Sequence, residues 1–294
     1  MAGGVADLAG AISAATGQPF TLAARRAVGG GDINRAESLS GADGRRYFVK
    51  RNRAELADMF AAEAAGREEI RAAACIAAPR PVCHGVDAAG AYLVLEWLDL
   101  DRSGDAAELG RQLAALHGVT RPEFGWWRAN TIGSTPQDNT PSRDWVDFWR
   151  RRRLAPQLEL ATRRAAPSRL IDAGARLAEA LPAFFSAYTP VASLLHGDLW
   201  GGNHSFCGGR PVVFDPAVYY GDREADLAMT ELFGGFPADF HAAYRAAWPL
   251  DPGYAMRKTL YNLYHILNHF NLFGGGYAGQ AEAMTMRLLA EVRG

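Results

Sequence analysis

"LLHGDLWGGN", Leu194 to Asn203, is the stretch whose reading decides the fold. Taken by itself it is a turn, because Gly, Asp and Asn are turn residues. An apolar run, then His196-Gly197-Asp198, then an asparagine five positions on is also the layout of a phosphoryl-transfer loop. In such a loop the carboxylate orients a hydroxyl and the amide meets a metal ion. Twelve residues past Asn203, "VVFDP" ends an apolar strand on a second acid, Asp215, across a hairpin marked by Gly208-Gly209. The pair of segments is far more specific than either one.

The order of residues upstream points the same way. Gly29, Gly30 and Gly31, followed by Asp32, lie between the strand-like stretches "FTLAARRAV" and "INRAESLS". A "GADG" turn leads to "RRYFVKRN", which carries Lys50. A helix is expected from Ala54 to about Cys75, rich in Ala, Glu and Arg, with Glu63 on it. "PVCHGV" and "AYLVLEWL" read as two more strands, the second ending at Glu96, Trp97 and Leu98. Each type meets a need of nucleotide-dependent phosphoryl transfer. Glycines let backbone N–H groups approach phosphates, a lysine neutralises them, and a glutamate fixes the lysine. Two oxygen ligands hold Mg²⁺, and a carboxylate orients the attacking hydroxyl. Singly these signals are weak; their order carries the reading.

Beyond Leu98 the pattern is mostly helical. Leu109, Leu113 and Leu116 mark one buried face, and helices are expected near 143–164, 168–187, 224–232, 236–247, 255–273 and 279–292. The expectation is an α+β, bilobal chain with a small β-rich lobe over 1–97 and a larger helical lobe over 98–294. The hairpin before Asp215 is assigned to the second lobe.

Composition sets bounds. The 294 residues are 49% hydrophobic and 21% charged, with a net charge of −1, which supplies no strong field for nucleic acid or membrane. Cys75, Cys83 and Cys207 are too widely spaced for a C-x-x-C site and fit a reducing compartment. No run approaches the roughly 18 to 20 apolar residues of a membrane span, and the first residues lack the pattern of a signal peptide. The cytoplasm is the expected location.

The stretches "FVKRN", "MFAAEAAG", "DNTPSRDWVDFWRRRRLAPQL", "LLHGDLWGGN", "VVFDPAVYYGDREADLAMTELFGGFP" and "LYNLYHILNHFNLFGGGY" run over nearly the whole chain. They resemble the fructosamine kinase (ketosamine-3-kinase) family, within the protein-kinase-like phosphotransferases that include aminoglycoside and choline kinases. The resemblance implies a protein-kinase-like fold using ATP and Mg²⁺. It makes Asp198 the catalytic base, Asn203 and Asp215 the Mg²⁺ ligands, and Lys50 the phosphate-binding lysine paired with Glu63. It puts adenine on the backbone of Glu96, Trp97 and Leu98, under a phosphate loop of Gly29, Gly30, Gly31 and Asp32. Trp200, Tyr220 and Asp222 are candidate substrate contacts because they flank the two catalytic loops. The implied activity is phosphorylation of the 3-hydroxyl of a ketosamine, free or as glycated lysine on a protein, which labilises the sugar–amine link. The alternatives are a kinase of another hydroxylated amine, of aminoglycoside or choline type, and a non-catalytic nucleotide-binding regulator. Intact Lys50, Asp198, Asn203 and Asp215 argue against the last. Asp32 stands where many relatives carry a cysteine, and His204 where they carry a small apolar residue.

Other residues have plainer readings. Asp226 in "EADLA" is expected to cap a helix or brace the catalytic loop, and His117 to end a helix. His265 and His269, four apart, are expected to pack or line a cleft, since no third metal ligand is evident. Arg150 to Arg153 read as a solvated face. Trp126 and Trp127 anchor a loop or shape the substrate mouth.

Overall fold

The computed structural model describes residues 7–29, 33–101 and 103–292. The elements run α1 (Leu8–Thr16), β1 (Leu22–Val28), β2 (Arg35–Gly41), β3 (Arg46–Asn52), α2 (Ala57–Ala73), β4 (Pro81–Asp87) and β5 (Gly90–Glu96). Next come α3 (Ala106–His117), β6 (Thr120–Arg121), β7 (Asn130–Ile132), β8 (Thr135–Gln137), α4 (Trp145–Trp149), α5 (Ala155–Arg163) and α6 (Ser168–Ala180). The chain closes with β9 (Ala192–Leu195), β10 (His204–Cys207), β11 (Arg210–Val213), β12 (Tyr219–Gly221), α7 (Glu224–Thr230), α8 (Ala238–Ala247), α9 (Tyr254–Phe273) and α10 (Tyr277–Glu291).

Two compact units emerge, one of residues 1–104 with 205–215 and one of 105–204 with 216–294. The boundary thus falls at Gly104 rather than 97, and the β10–β11 hairpin joins the first unit, not the second as its sequence position suggested. Hydrogen bonds explain the transfer. Asp101 N–H donates to the Phe206 carbonyl (2.8 Å) and Val213 N–H to the Ala77 carbonyl (2.9 Å).

The first unit is built on an antiparallel sheet of order β1-β2-β3-β5-β4. Alternation along the strands divides its two faces. Tyr47, Val49, Tyr92 and Val94 pack on Leu8 and Ile12 of α1. Leu93 and Leu95 of β5 turn the other way, onto Phe60 and Ala64 of α2, with Phe48 of β3 against the same cluster. Lys50 shares the parity of Phe48 and pairs with Leu93, so the period of two directs it to the α2 face. Burying a side chain such as Phe60 contributes about 1.5–3 kcal/mol, so a register slip that exchanged the faces is strongly disfavoured.

The second unit is mainly helical. Leu109, Leu113 and Leu116 of α3 are buried as the leucine spacing predicts. α9 is its central helix, with every residue from Leu260 to Asn268 buried. A three-stranded sheet, β12-β9-β6, escaped the sequence reading because its strands are too short to show a period. The helix expected over 143–164 is interrupted by a π-helical turn at Arg150–Leu154. That turn bears on the arginine run. Arg151 is exposed beside Asp147, whereas Arg153 is fully buried, with its guanidinium 4.1 Å from the Tyr219 ring and bonded to the Asn139 side chain (2.6 Å). The solvated-face expectation fails for Arg153 because the wider turn carries it inward onto an aromatic ring. No helix among the described residues is long and apolar enough to cross a membrane.

Candidate active site

In the first unit, Lys50 is buried and its Nζ donates to both oxygens of Glu63 (2.9 and 3.0 Å) and to Asp215 Oδ1 (2.7 Å). Arg67 completes the cluster. Its Nη2 donates to Glu63 Oε1 (2.6 Å) and Asp215 Oδ1 (2.9 Å). Two cations and two carboxylates thus neutralise one another around β3 and α2. Sequence reasoning missed Arg67, although it lies one turn beyond Glu63, on the stripe of α2 that also buries Phe60 and Ile70. Asp215 has φ 51°, a left-handed conformation that Asp tolerates better than most residues. Backbone strain therefore sits at this candidate ligand.

Beyond β5, the Glu96 N–H is spent on the Arg80 carbonyl (3.0 Å), and its carboxylate accepts from Arg80 N–H (2.7 Å). Trp97 lies under the Arg46 guanidinium (4.9 Å). The Glu96 N–H is therefore already engaged within the sheet edge. Gly29 follows β1, and a Cβ there would meet nothing within 4 Å. Gly30, Gly31 and Asp32 lie outside the described residues.

In the second unit, buried β9 delivers the chain into His196-Gly197-Asp198. Gly197 has φ +82°, and a Cβ on it would sit 2.1 Å from the Ala217 carbonyl oxygen, so only glycine fits. Asp226, at the core of α7, accepts His196 N–H on Oδ2 (2.7 Å) and Gly197 N–H on Oδ1 (2.8 Å). Its brace role is thus visible in hydrogen bonds, and the bonds run to the turn rather than to its own helix. His117, expected only to end α3, backs this carboxylate with Nε2 at 3.2 Å, and Tyr244 OH meets its Nδ1 at 2.7 Å. Burial pushes Asp226 up, but the His117 hydrogen bond and the nearby charges and amides outweigh it and hold it below 3.8.

Asp198 follows this clamp, half-buried. Asn203 Nδ2 donates to the Asp198 carbonyl (2.8 Å) and to its carboxylate (3.3 Å), which leaves Asn203 Oδ1 as an acceptor carrying no donor among the described residues. An amide oxygen in that state, beside the Asp198 carboxylate, is the kind of hard oxygen donor Mg²⁺ selects, so the residues fit the ion. Trp200 is 40% exposed. A Cβ on Gly202 would meet the Trp200 ring at 2.3 Å, so the indole lies across the loop.

Two substrate candidates are corrected. Tyr220 is buried in β12, paired with Leu194 of β9 and with the Arg121 guanidinium 4.7 Å from its ring. Asp222 is 0% exposed, and its oxygens accept from Tyr188 OH (2.9 Å) and Tyr261 OH (2.5 Å). Burial pushes its carboxyl up, with the tyrosine hydrogen bonds pulling the other way. Asp222 is interior because Tyr188 and, from α9, Tyr261 close on it, and Tyr220 because it is held in the β12–β9 sheet beneath Arg121.

A lysine tied to a helix glutamate, and an aspartate-asparagine loop braced by a buried carboxylate, are the parts of a phosphotransferase. Comparison with known proteins agrees. The fructosamine kinase family model matches residues 5–291. A probable ketoamine kinase of Synechocystis is 49% identical over 282 residues, covering 95% of this chain and 94% of that protein. A chloroplastic protein-ribulosamine 3-kinase of Arabidopsis thaliana is 42% identical, covering 86% and 79%. A crystal structure from Haemophilus somnus, named "Putative fructosamine-3-kinase", superposes with a TM-score of 0.88 at 25% identity, covering 96% of each chain. The chain belongs to the fructosamine kinase family.

Proposed function

We propose that this protein transfers the γ-phosphoryl group of ATP to the 3-hydroxyl of a ketosamine, including glycated lysine on a protein. Asp198 orients the hydroxyl and takes up its proton as the sugar oxygen bonds to the γ-phosphorus. The bond from that phosphorus to the β–γ bridging oxygen breaks, and ADP leaves. Lys50, held by Glu63, draws the phosphates; Trp200 lies against the sugar. Asn203 Oδ1 and Asp215 would hold Mg²⁺, which when bound offsets the negative charge of the phosphates. The observation that carries the reading is the Asp198–Asn203 pair on a turn fixed by Asp226.

The test is Asp198→Ala, assayed for nucleotide binding and for ATP consumption with fructose-, ribulose- and erythrulose-modified lysine, an aminoglycoside and choline. Binding is expected to persist while turnover falls by about 10²–10⁴-fold, the usual contribution of a positioned base. Wild-type turnover confined to the aminoglycoside or choline overturns the substrate assignment.

A further inference from the structure

The reaction leaves one group of side chains in the second unit unused. His269 on α9 is ringed by Phe233 (centroids 4.6 Å), Tyr277 (5.3 Å) and Phe273 (5.6 Å). Two of these rings face solvent, Phe233 at 38% and Phe273 at 50% exposure. Phe233 has φ 52°, which a bulky side chain rarely adopts, so the fold holds this ring in place against strain. His269 Nδ1 lies 2.8 Å from the His265 carbonyl. A carbonyl only accepts, so Nδ1 carries the proton and Nε2 keeps its lone pair. Burial lowers the imidazole's proton affinity and keeps it neutral.

The turn that carries Phe233 reaches the catalytic loop. Phe236, which closes that turn by donating its N–H to the Thr230 carbonyl (2.8 Å), packs tilted against His204 with ring centroids 4.3 Å apart. His204 directly follows Asn203. In a ketosamine the amine nitrogen is on C1, two carbons from the reacting hydroxyl, so the amine lies next to the loop that carries Asp198.

What the four residues offer is electron-rich ring faces and one unshared acceptor, with no charged side chain among them. Their complement is a cation that only donates. We propose that Phe233, His269, Phe273 and Tyr277 form a subsite for the secondary ammonium of the ketosamine and the first carbons of its amine substituent, through cation–π contact and a hydrogen bond to His269 Nε2. The inference rests on the ketosamine reading above.

The experiment compares fructosyl-lysine with its oxygen analogue, in which an ether replaces the ammonium, on wild type, Phe273→Leu and Phe273→Trp. Leucine keeps apolar bulk and loses the ring face; tryptophan keeps the face. The Phe273→Leu change is expected to raise KM for the amine about fivefold, with kcat, KM for ATP and KM for the ether unmoved, while Phe273→Trp restores the amine KM. Equal shifts for amine and ether, or no shift for either, overturn the subsite. A wild type inactive on every ketosamine instead overturns the reading beneath it, and the subsite with it.

Discussion

Asp226→Asn is the sharpest test of how the catalytic turn is held. The exchange keeps shape and removes charge and one acceptor. In the native protein the carboxylate accepts the N–H groups of His196 and Gly197 at 2.7 and 2.8 Å, each on its own oxygen. An asparagine has one oxygen, so its NH₂ must face one of these N–H groups, donor against donor. Hydrogen bonds to a charged group contribute about 1.5–3 kcal/mol, and a stranded buried donor costs a further 1–3 kcal/mol or so. Asp226 is essentially unexposed, so solvent does not soften the loss, and about 3–5 kcal/mol of stability is at stake. The turn is expected to shift, and a displacement of the order of 1 Å in a catalytic group lowers kcat about 10²-fold. Urea unfolding measures the first effect. Steady-state kinetics below the variant's transition measures the second, with KM for ATP as the control because the Lys50 cluster is untouched. A folded variant with kcat within about twofold of wild type, against that 10²-fold expectation, refutes the bracing argument.

Two further outcomes follow from the same geometry. Arg67→Met leaves Lys50 alone between two carboxylates, so stability is expected to fall by about 3–5 kcal/mol, as when other buried ion networks lose a member, with a raised KM for ATP; urea midpoints and ATP titration check both. His265 is fully buried, and burial first, then His269, lower it to about 3. The unfolded chain takes up a proton near 6.5 and the folded chain does not, so stability is lost as pH falls from 6.5 toward 3. Between pH 7 and 5 this site costs about 2 kcal/mol, and His265→Gln is expected to remove that increment from the difference in urea midpoints.

Much of the first unit was legible because its information is local. Alternation in "RRYFVKRN" orients Lys50, and the uninterrupted helical stretch after it carries Glu63. The catalytic turn was legible for the same reason, since glycine, aspartate and asparagine are spaced within ten residues. What escaped depends on partners far along the chain. Arg67 looks like a surface arginine until Asp215 reaches it, and Asp222 looks like a cleft residue until Tyr188 and Tyr261 close on it. The hairpin misassignment is of the same kind, because its hydrogen bonds run to Ala77 and Asp101. Parity and spacing describe faces; they do not say which distant residue covers a charge.

α7 has a consequence of its own. All seven of its residues are buried, Glu224 and Asp226 among them, and Glu224 is met by Arg257 of α9 (2.7 Å). Its two carboxylates are tolerated in the interior only with their partners, because a charge taken from water alone is strongly unfavourable. α3 and α9 supply those partners as His117 and Arg257. The turn bearing Asp198 hangs from α7 through Asp226. Order at that turn is therefore tied to the packing of helices far away in the sequence, and a local loop is held by the whole of its unit.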